Sequence, residues 1–286
     1  MPAKVYLPLA EQNGDFRAMP VYMDGFAGVK WVNAHPDNPK RHGIPSVLGV
    51  FILSDATTAV PLAILDATAM TAMRTGAAAA VATKYLARKD ARTLGIIGCG
   101  VQARTVIACL RTVARFDEIL LADREAAASA SLAAELGGGR VHTANVEAAA
   151  GADIVCTLTP SHRPIVPRAA VRSGAHVNAM GADAPGKQEL DERILAEARV
   201  FVDDWKQASE SGEINVALAA GRLRRDQLAG SLGEIVAGSV LGRTSDTEIT
   251  VFDSTGLAVQ DLAVARLIYE RACADSIGTP FELLRP

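Results

Sequence analysis

The sequence predicts an α/β protein, in which a doubly wound parallel sheet is joined to a discontinuous α+β domain. The central half of the 286-residue chain alternates short, near-continuous apolar segments with alanine-rich helical segments. This pattern is typical of parallel strands that are covered by helices on both faces. The first ninety residues instead carry apolar runs punctuated by Pro, Gly and Asn, which favour an antiparallel or mixed sheet.

The elements of the N-terminal region come first. We predict strands around Tyr6–Pro8, Met19–Tyr22, Val29–Asn33 and Val47–Leu53, followed by a helix that begins near Ala67. A long helical segment at about 256–274 is expected to pack back on this region. The domains predicted are therefore 1–90 with 256–286, for substrate binding and dimerisation, and 91–255 for the parallel sheet.

A glycine-rich turn follows the first predicted parallel strand, at 93–97. It reads Gly98-Cys-Gly100-Val-Gln-Ala103, leads into a helical segment, and is followed by a second strand that ends at Asp123. Small residues at a helix N-terminus let backbone N–H groups close on a pyrophosphate, and an acid about twenty residues later can bind a ribose hydroxyl. The turn therefore predicts a Rossmann-type dinucleotide site. Asp123 would repel a 2′-phosphate and favours NAD, whereas Arg124, turned inward, would accept NADP.

The rest of the parallel sheet follows the same alternation. Strands are predicted at 140–144, 153–159, 175–180, 199–203 and 248–253, and helices at 125–136 and 190–198.

Composition excludes several classes of protein. A net charge of −3 and 49% hydrophobic residues describe an ordinary globular protein with no basic surface for nucleic acid. The sequence has no apolar run long enough to span a membrane, and its start lacks the layout of a secretory signal. The four cysteines have no metal-ligand spacing, so we expect reduced thiols, no metal and a cytoplasmic location.

Two cations lie in apolar settings. Lys30 lies within the apolar segment 26–33, where a buried ammonium must be paired or functional because it is costly to bury bare. The alternative is a solvent-facing lysine on an edge strand. Arg74 lies in the alanine-rich helix before the first parallel strand, and its alternative is a solvated helix arginine.

Asp183 lies in the loop after the predicted strand 175–180, at a carboxyl end, where open α/β sheets bind their ligands. A carboxylate there can act as a general acid or base. The alternative is an N-cap or Asx-turn aspartate before the next helix. Asn178 and Lys187, in the same segment, are either structural turn residues or cofactor contacts.

Taken together, these motifs resemble the ornithine cyclodeaminase/μ-crystallin family, which includes an archaeal type of alanine dehydrogenase and several ketimine reductases. The resemblance covers nearly the whole chain. The motifs that carry it are Gly28-Val-Lys-Trp-Val-Asn-Ala-His-Pro, Gly43-Ile-Pro-Ser, Thr71-Ala-Met-Arg-Thr-Gly-Ala-Ala-Ala, Gly98-Cys-Gly-Val-Gln-Ala, Val177-Asn-Ala-Met-Gly-Ala-Asp-Ala-Pro-Gly-Lys-Gln-Glu-Leu-Asp and Gly242-Arg-Thr-Ser.

The resemblance implies a role for each of these residues. Lys30 and Arg74 would grip the substrate carboxylate, Lys30 would also polarise the neighbouring C=N or C=O bond, and Asp183 would be the catalytic carboxylate. The candidate cofactor-binding residues, those of the glycine turn included, are Ser46, Arg74, Gly98, Gly100, Val101, Gln102, Ala103, Asp123, Arg124, Thr159, Val177, Asn178, Ala179, Met180, Lys187 and Ser254.

Two positions depart from the family pattern. Lys4 stands where the family commonly has an arginine that helps bind the carboxylate, and it is a further substrate-binding candidate. Arg17 stands where the cyclodeaminases carry a glutamate suited to a distal ammonium. A cation there would repel ornithine and favours a small apolar substrate or a second carboxylate. The alternative is an outward-facing strand arginine.

These observations predict an NAD(P)-dependent oxidoreductase that acts on the C–N bond of a small L-amino acid or imino acid, such as an amino acid dehydrogenase or ketimine reductase. Two other functions stay open: an ornithine cyclodeaminase-type ammonia lyase that uses NAD catalytically, and a non-catalytic NAD(P)H-dependent binding protein of μ-crystallin type. The expected partners are an amino or imino acid and a second copy of the chain in a homodimer.

Overall fold

The chain folds into two compact units. The structure, a computed structural model, describes residues 1–281, so the end of the predicted 256–286 segment lies outside the described residues. Unit 1 consists of Met1–Arg74 with the segment that begins at Ala258, and unit 2 is Thr75–Leu257. This division falls inside a helix, whereas from the sequence we place the domain boundary after that helix, at residue 90. The roles assigned to the two domains stay a prediction.

The elements of residues 1–281 are, in chain order, β1 (Val5–Leu9), β2 (Gly14–Met23), β3 (Phe26–Ala34), α1 (Asn38–His42), β4 (Val47–Asp55), β5 (Pro61–Asp66), α2 (Ala67–Leu86), β6 (Thr93–Ile97), α3 (Val101–Leu110), β7 (Glu118–Ala122), α4 (Ala126–Leu136), β8 (Val141–Thr143), α5 (Val146–Ala150), β9 (Ile154–Thr157), β10 (His176–Ala179), α6 (Glu192–Glu197), β11 (Arg199–Val202), α7 (Trp205–Ser211), α8 (Asn215–Ala219), β12 (Gly230–Ser231), α9 (Leu232–Val236), β13 (Thr250–Asp253) and α10 (Ala258–Ala274).

Unit 1 is built on an antiparallel sheet in which β1 to β5 pair in sequence order. Alternation along the strands separates two faces, because successive side chains point to opposite sides. One face buries Met19, Phe51 and Leu53 against Leu262 and Ala265 of α10, which packs on β2, β3 and β4. The α10 helix therefore closes the core of unit 1, although it comes last in the chain.

Unit 2 is built on a parallel sheet with the strand order β12-β11-β13-β10-β9-β6-β7-β8. Because successive side chains of a strand point to opposite faces of the sheet, its apolar residues pack into two separate cores. One core packs strand residues such as Ile96 and Phe252 against α3 and α9, and the other packs Val155 and Val251 against α5 and α6. Helices thus cover both faces, and the predicted doubly wound parallel sheet is confirmed.

The order of the strands locates a ligand-binding edge. The chain runs outward from β6 through β7 to β8 and then crosses back to β9 on the other side of β6. Crevices at the carboxyl ends of the strands flanking such a reversal are where open α/β sheets bind ligands. Within residues 1–281, no helix is long and apolar enough to cross a membrane.

Candidate functional site

The glycine turn lies at the carboxyl end of β6, at the reversal of strand order. Gly98 has φ +100°, and an added Cβ would lie 2.9 Å from the Leu158 carbonyl carbon, so glycine is required by both conformation and space. Gly100, the N-cap of α3, has an ordinary extended backbone, and an added Cβ would meet no atom within 4 Å. The space in front of the α3 N-terminus is therefore open, and it fits a pyrophosphate that approaches the backbone closely.

Asp123 is fixed beside this turn. Its Oδ2 accepts a hydrogen bond of 2.7 Å from the backbone N–H of Cys99, and its Oδ1 accepts one of 2.9 Å from that of Glu125. Arg124 is 93% exposed and pairs with Glu125 at 3.4 Å. The carboxylate, rather than the guanidinium, therefore lies against the turn, which suits ribose hydroxyls better than a 2′-phosphate.

The next strands bring further candidates to the same edge. Thr159 follows β9 and donates through its N–H and its hydroxyl to Glu189 Oε1, at 2.7 Å each. Met180 follows β10, and its N–H donates to Thr157 at 3.0 Å. Ser254 follows β13, and its N–H donates to the Ala179 carbonyl at 3.0 Å. These three residues and the glycine turn all follow strands of one parallel sheet at their carboxyl ends.

Within α3, Val101 is 61% exposed at the first helical position, and Ala103 is buried. Gln102 lies between them. Its Oε1 is buried and accepts no hydrogen bond from any residue that the structure describes. An unsatisfied buried acceptor beside an open helix N-terminus fits a ligand that carries donors, such as a ribose.

Three of the candidates, Val177, Asn178 and Ala179, lie inside β10 and are fully buried. The amide of Asn178 donates to Thr83 Oγ1 at 3.0 Å, and its Oδ1 lies 3.2 Å from His176 Nε2. Burial above all, and then Arg243, lower the pKa of His176 to about 3, so this ring is neutral. The side chains of these strand residues are buried in the core, and β10 itself pairs with β9 on one side and β13 on the other.

Asp183 is held in the loop after β10. Its Oδ1 lies 2.7 Å from Lys187 Nζ, and its side chain is 33% exposed. Asn215 holds the same loop: its Oδ1 accepts from the N–H of Gly186 at 3.0 Å, and its Nδ2 donates to the Lys187 carbonyl at 2.8 Å. The N-cap of α6 is Asp191, so the interpretation of Asp183 as that N-cap is wrong. Asp183 is a reachable carboxylate on a fixed loop.

Lys30 and Arg74 meet at a carboxylate in unit 1. Lys30 Nζ lies 2.7 Å from Asp261 Oδ2 and 3.4 Å from Thr71 Oγ1, and Arg74 Nε lies 3.1 Å from Asp261 Oδ1. Lys30 is 1% exposed on the central strand β3, and the side chain of Arg74 is 10% exposed. The alternatives of an edge-strand lysine and a solvated arginine are therefore both wrong.

The electrostatics of this cluster favour an anion. Burial, then the charge of Arg74, lower the pKa of Lys30 to about 7, while Asp261 acts in the opposite direction and Lys4 lowers it further. Two cationic groups, Lys30 and Arg74, thus share the single buried carboxylate of Asp261. An incoming carboxylate would restore the balance of charge and form charge-assisted hydrogen bonds with the guanidinium.

Arg17 lies on the same sheet face as Lys30, since Met19, two residues along β2, pairs directly with Lys30. It is 7% exposed, so its interpretation as an outward-facing arginine is wrong. Its Nε and Nη2 donate to the two carboxylate oxygens of Asp15 at 2.8 and 2.9 Å. The charge of Arg17 is therefore largely matched by Asp15, and the pair offers no net negative charge to an ammonium.

The two remaining candidates are also in unit 1. Lys4 directly precedes β1, and its charge reaches Lys30, whose pKa it lowers. Ser46 directly precedes β4, and its carbonyl accepts from the N–H of His35 at 2.7 Å.

Several buried acids were not predicted from the sequence. Asp261, Glu189 and Asp253 are fully buried, and Glu213 is 1% exposed. A signal was present for Asp261, which interrupts an apolar helix, and for Asp253, which ends an apolar strand. Among the described residues, no group of three or more His, Cys, Asp and Glu side chains is placed to hold a metal ion.

Comparison with known proteins identifies the family of this chain. The model of the ornithine cyclodeaminase/mu-crystallin family matches residues 1–276. The alanine dehydrogenase of Archaeoglobus fulgidus is 46% identical over 287 residues, covering 100% of this chain and 88% of that protein.

Solved structures match equally well. An archaeal alanine dehydrogenase dimer with bound NAD has a TM-score of 0.95 at 45% identity, with 99% of this chain and 88% of that chain covered. The Δ1-pyrroline-2-carboxylate reductase of Thermococcus litoralis, solved with NADH and L-proline, has a TM-score of 0.95 at 35% identity, with 98% and 89% covered. The chain therefore belongs to the ornithine cyclodeaminase/mu-crystallin family.

Proposed function

We propose that this protein is an NAD-dependent oxidoreductase that acts on the C–N bond of a small L-amino acid or imino acid. The observation that carries the proposal is the buried cluster in which Lys30 and Arg74 exceed the charge of Asp261. The two named relatives act on alanine and on a pyrroline carboxylate, both of which carry a carboxylate beside a carbon–nitrogen bond. A fixed pair of cations is suited to bind the carboxylate that both substrates share.

The chemistry divides among residues of this chain. Arg74 and Lys30 bind the carboxylate, at about 1.5–3 kcal/mol for a charged hydrogen bond, and their charge polarises the adjacent C=N bond. Asp183 gives a proton to the nitrogen in the reductive direction, and takes one from nitrogen or water in the oxidative direction. Such acid–base help is worth roughly a hundred- to ten-thousandfold in rate. When bound, the nicotinamide would supply a hydride to the carbon of the C=N bond or, in the oxidative direction, accept one from that carbon.

NAD is the cofactor that the residues at the turn support. The Asp123 carboxylate is held against the turn by the N–H of Cys99, where a 2′-phosphate would be repelled, and Arg124 is paired with Glu125 in solvent. Gly100 leaves the approach to α3 open. The named solved relatives contain NAD or NADH.

Arg17 favours this proposal over ornithine cyclodeamination. It lies on the same sheet face as Lys30 and is matched by Asp15, so this pair offers no net negative charge to a distal ammonium. We therefore expect substrates whose side chain is small and apolar, or carries a second carboxylate.

We also propose a homodimer and a cytoplasmic location. The sheet face of unit 1 opposite α10 exposes large apolar side chains, among them Val5 at 63%, Tyr22 at 65%, Trp31 at 41%, Val50 at 42% and Ile64 at 54%. A contiguous apolar sheet face is typical of a protein–protein interface, and the archaeal relative is a dimer. All four cysteines are free thiols in the described residues, which suits a reducing compartment.

A substrate panel tests the proposal. Purified protein is incubated with NADH and, in turn, ammonia with pyruvate, ammonia with oxaloacetate, and Δ1-pyrroline-2-carboxylate, and the loss of NADH is followed; NADPH is run in parallel. Arg74→Met is expected to lower kcat/KM for the imino acid roughly ten- to a hundredfold. Arg266→Met, which removes an exposed partner of Glu270, is the matched control.

Three results would contradict the proposal. Proline and ammonia formed from L-ornithine with no net change in NADH would support cyclodeamination instead. Tight NADH binding with no turnover of any substrate would support a binding protein. Turnover that is unchanged in Arg74→Met would remove the carboxylate grip on which the assignment depends.

A further inference from the structure

Glu189 lies fully buried where two loops of unit 2 meet. Its Oε1 accepts from the N–H and the hydroxyl of Thr159, at 2.7 Å each, and its Oε2 accepts from the N–H of Gly181 at 2.9 Å. These loops follow β9 and β10, and each carries candidate site residues. A single carboxylate therefore ties together the backbone of both loops.

The closeness of this contact depends on a glycine. A Cβ added to Gly181 would lie 2.2 Å from the Thr159 carbonyl oxygen and 2.5 Å from Glu189 Oε2, so a side chain at this position would force the loops apart. The bond from Gly181 to Glu189 also closes the segment 181–189 on itself. Asp183 lies inside this closed segment.

Two further buried acids anchor Glu189 to the sheet. Glu213 accepts from the N–H groups of Glu189 and Leu190 through Oε1, at 2.8 and 2.7 Å. Asp253, the last residue of β13, accepts in turn from the N–H groups of Glu213 and Ile214, at 2.9 and 3.1 Å. Asp253 on β13 thus holds the backbone of the segment that carries Glu213. Glu213 in turn holds the backbone at Glu189, which ends the Asp183 loop.

Burying three acidic side chains is costly, which indicates a purpose beyond folding. Burial raises the pKa of Glu189, and burial together with Glu189 raises that of Glu213. Well-packed apolar residues often stabilise a core as well as, or better than, buried charges do. What three acidic side chains supply, and apolar side chains cannot, is a fixed position for backbone N–H groups.

We propose that Glu189 is a positioning residue, which fixes the Asp183 loop and the Thr159 loop through their backbone, with Glu213 and Asp253 as its anchor. The inference rests on the proposed function, in which Asp183 moves the proton. Displacement of a reacting group by about 1 Å can cost about a hundredfold in rate. Glu189 therefore acts on the reaction through the place it gives to Asp183.

Glu189→Gln tests this inference. The amide keeps the shape but places an N–H₂ group against either Gly181 or Thr159, so one of the two loops is released. We expect kcat to fall about a hundredfold while KM for the imino acid changes little. In an Asp183→Asn background the same change should have almost no further effect on kcat, because the two residues act as one unit. Glu192→Gln, an exposed position on α6, is the matched control.

Amide hydrogen exchange gives a readout that does not need activity. In Glu189→Gln, peptides that contain Thr159 or Gly181 should exchange faster, while those of β6 should be unchanged. If Glu189→Gln does not fold, Gly181→Ala disrupts the same contact from its other side and should show the same pattern. If the wild type turns over no substrate, the proposed function fails, and exchange alone decides whether the loops are held.

Two outcomes would overturn the inference. One is a folded Glu189→Gln protein with wild-type kcat and unchanged exchange at both loops. The other is a double variant in which the losses from Glu189→Gln and Asp183→Asn multiply, since independent effects would show that Glu189 does not act through Asp183.

Discussion

Asp261 determines the charge of the cluster in unit 1. It is the carboxylate that Lys30 and Arg74 share, at 2.7 and 3.1 Å. Without it, two buried cations would face each other uncompensated, which is strongly unfavourable. With it, the cluster is stable and still carries an excess of positive charge. The same residue thus permits the cations to be buried and leaves the positive charge that the proposed function uses to bind a substrate anion.

The pKa of Lys30 should appear in the pH dependence of the reaction. Burial and Arg74 hold this pKa at about 7, well below its ordinary value of 10.5. The protonated fraction in the free enzyme therefore falls as pH rises through 7, and kcat/KM, which reports the free enzyme, should fall about tenfold per pH unit above it. A bound carboxylate favours the charged form, so the same limb in kcat should lie at higher pH.

Lys30→Arg is the informative variant, because a guanidinium stays protonated throughout this range. The alkaline limb of kcat/KM should disappear in Lys30→Arg and persist in Lys40→Arg, which changes an exposed lysine of α1. An alkaline limb that is identical in both variants would assign the titration to another group.

The sequence alone identified Lys30, Arg74 and Thr159 as candidate site residues, but not the buried acids that bind them. Lys30 and Arg74 stood out because they are cations in apolar segments, and that prediction needs no partner. Asp261 lies 187 residues from Arg74 in the chain, and Glu189 holds Thr159 from 30 residues away. Partners at such separations are set by tertiary packing, which local patterns do not reveal. Buried acids are also rare, so an acidic residue is read by default as a surface residue.

At the scale of elements, the strand–turn–helix at β6 and α3 shows that two neighbouring glycines are present for different reasons. Gly98 is needed by the fold, because its φ of +100° is unfavourable for other residues and Leu158 leaves no room. Gly100 has an extended backbone and open space. The fold does not require glycine at residue 100, and we propose that its small size serves a ligand that approaches the backbone.

Alanine substitutions should separate these roles. Gly100→Ala is expected to keep the wild-type Tm without ligand but to weaken NADH binding at least about tenfold, because the added methyl group occupies the path of the pyrophosphate. Gly98→Ala should lower the free energy of unfolding itself, by about 1–3 kcal/mol for a strained backbone. The measurements are thermal unfolding with and without NADH, and NADH titration by fluorescence. Wild-type NADH affinity in Gly100→Ala would argue against a pyrophosphate at this turn.

The parallel strands were predictable because each is buried on both faces and reads as a continuous apolar run. β6, β7, β9, β10, β11 and β13 all lie within the segments predicted as strands. β12 was not predicted, because Gly230 and Ser231 form a strand of two residues with no apolar pattern. Its pairing with β11 is a product of tertiary contacts rather than of local preference.

At the scale of the whole molecule, the buried acids of unit 2 link stability to pH. Burial raises the pKa of Asp253 to about 8, against an ordinary value of 3.8, and the neighbouring Asp203 adds to the shift. Its N–H donors, from Glu213 and Ile214, act in the opposite direction. Between pH 4 and 8 the folded chain therefore keeps a proton that the unfolded chain has lost, so this group's contribution to stability falls as pH rises.

Asp253→Asn should remove this dependence. The free energy of unfolding of the wild type, relative to that of the variant, is expected to decline steadily from about pH 4 to pH 8 and to level off above. Urea unfolding of both proteins across this range measures the difference. Asp226→Asn, at an exposed residue, serves as the control. A difference that rises with pH would show that Asp253 is ionised in the folded protein throughout.

The outer sheet face of unit 1 makes a prediction about assembly. Trp31 and Val50 are direct cross-strand neighbours on β3 and β4, both about two-fifths exposed on the face opposite α10. A monomer that left this face in water would expose large apolar side chains next to one another, which is typical of an interface. In the homodimer that we propose, a glutamate at the centre of this face would lose its hydration without gaining a partner, which is costly. Trp31→Glu should therefore shift the protein from dimer to monomer in sedimentation velocity.

Leu241→Glu, at an exposed residue of unit 2, should stay dimeric. A Trp31→Glu protein that sediments as the wild-type dimer would exclude this face as the interface.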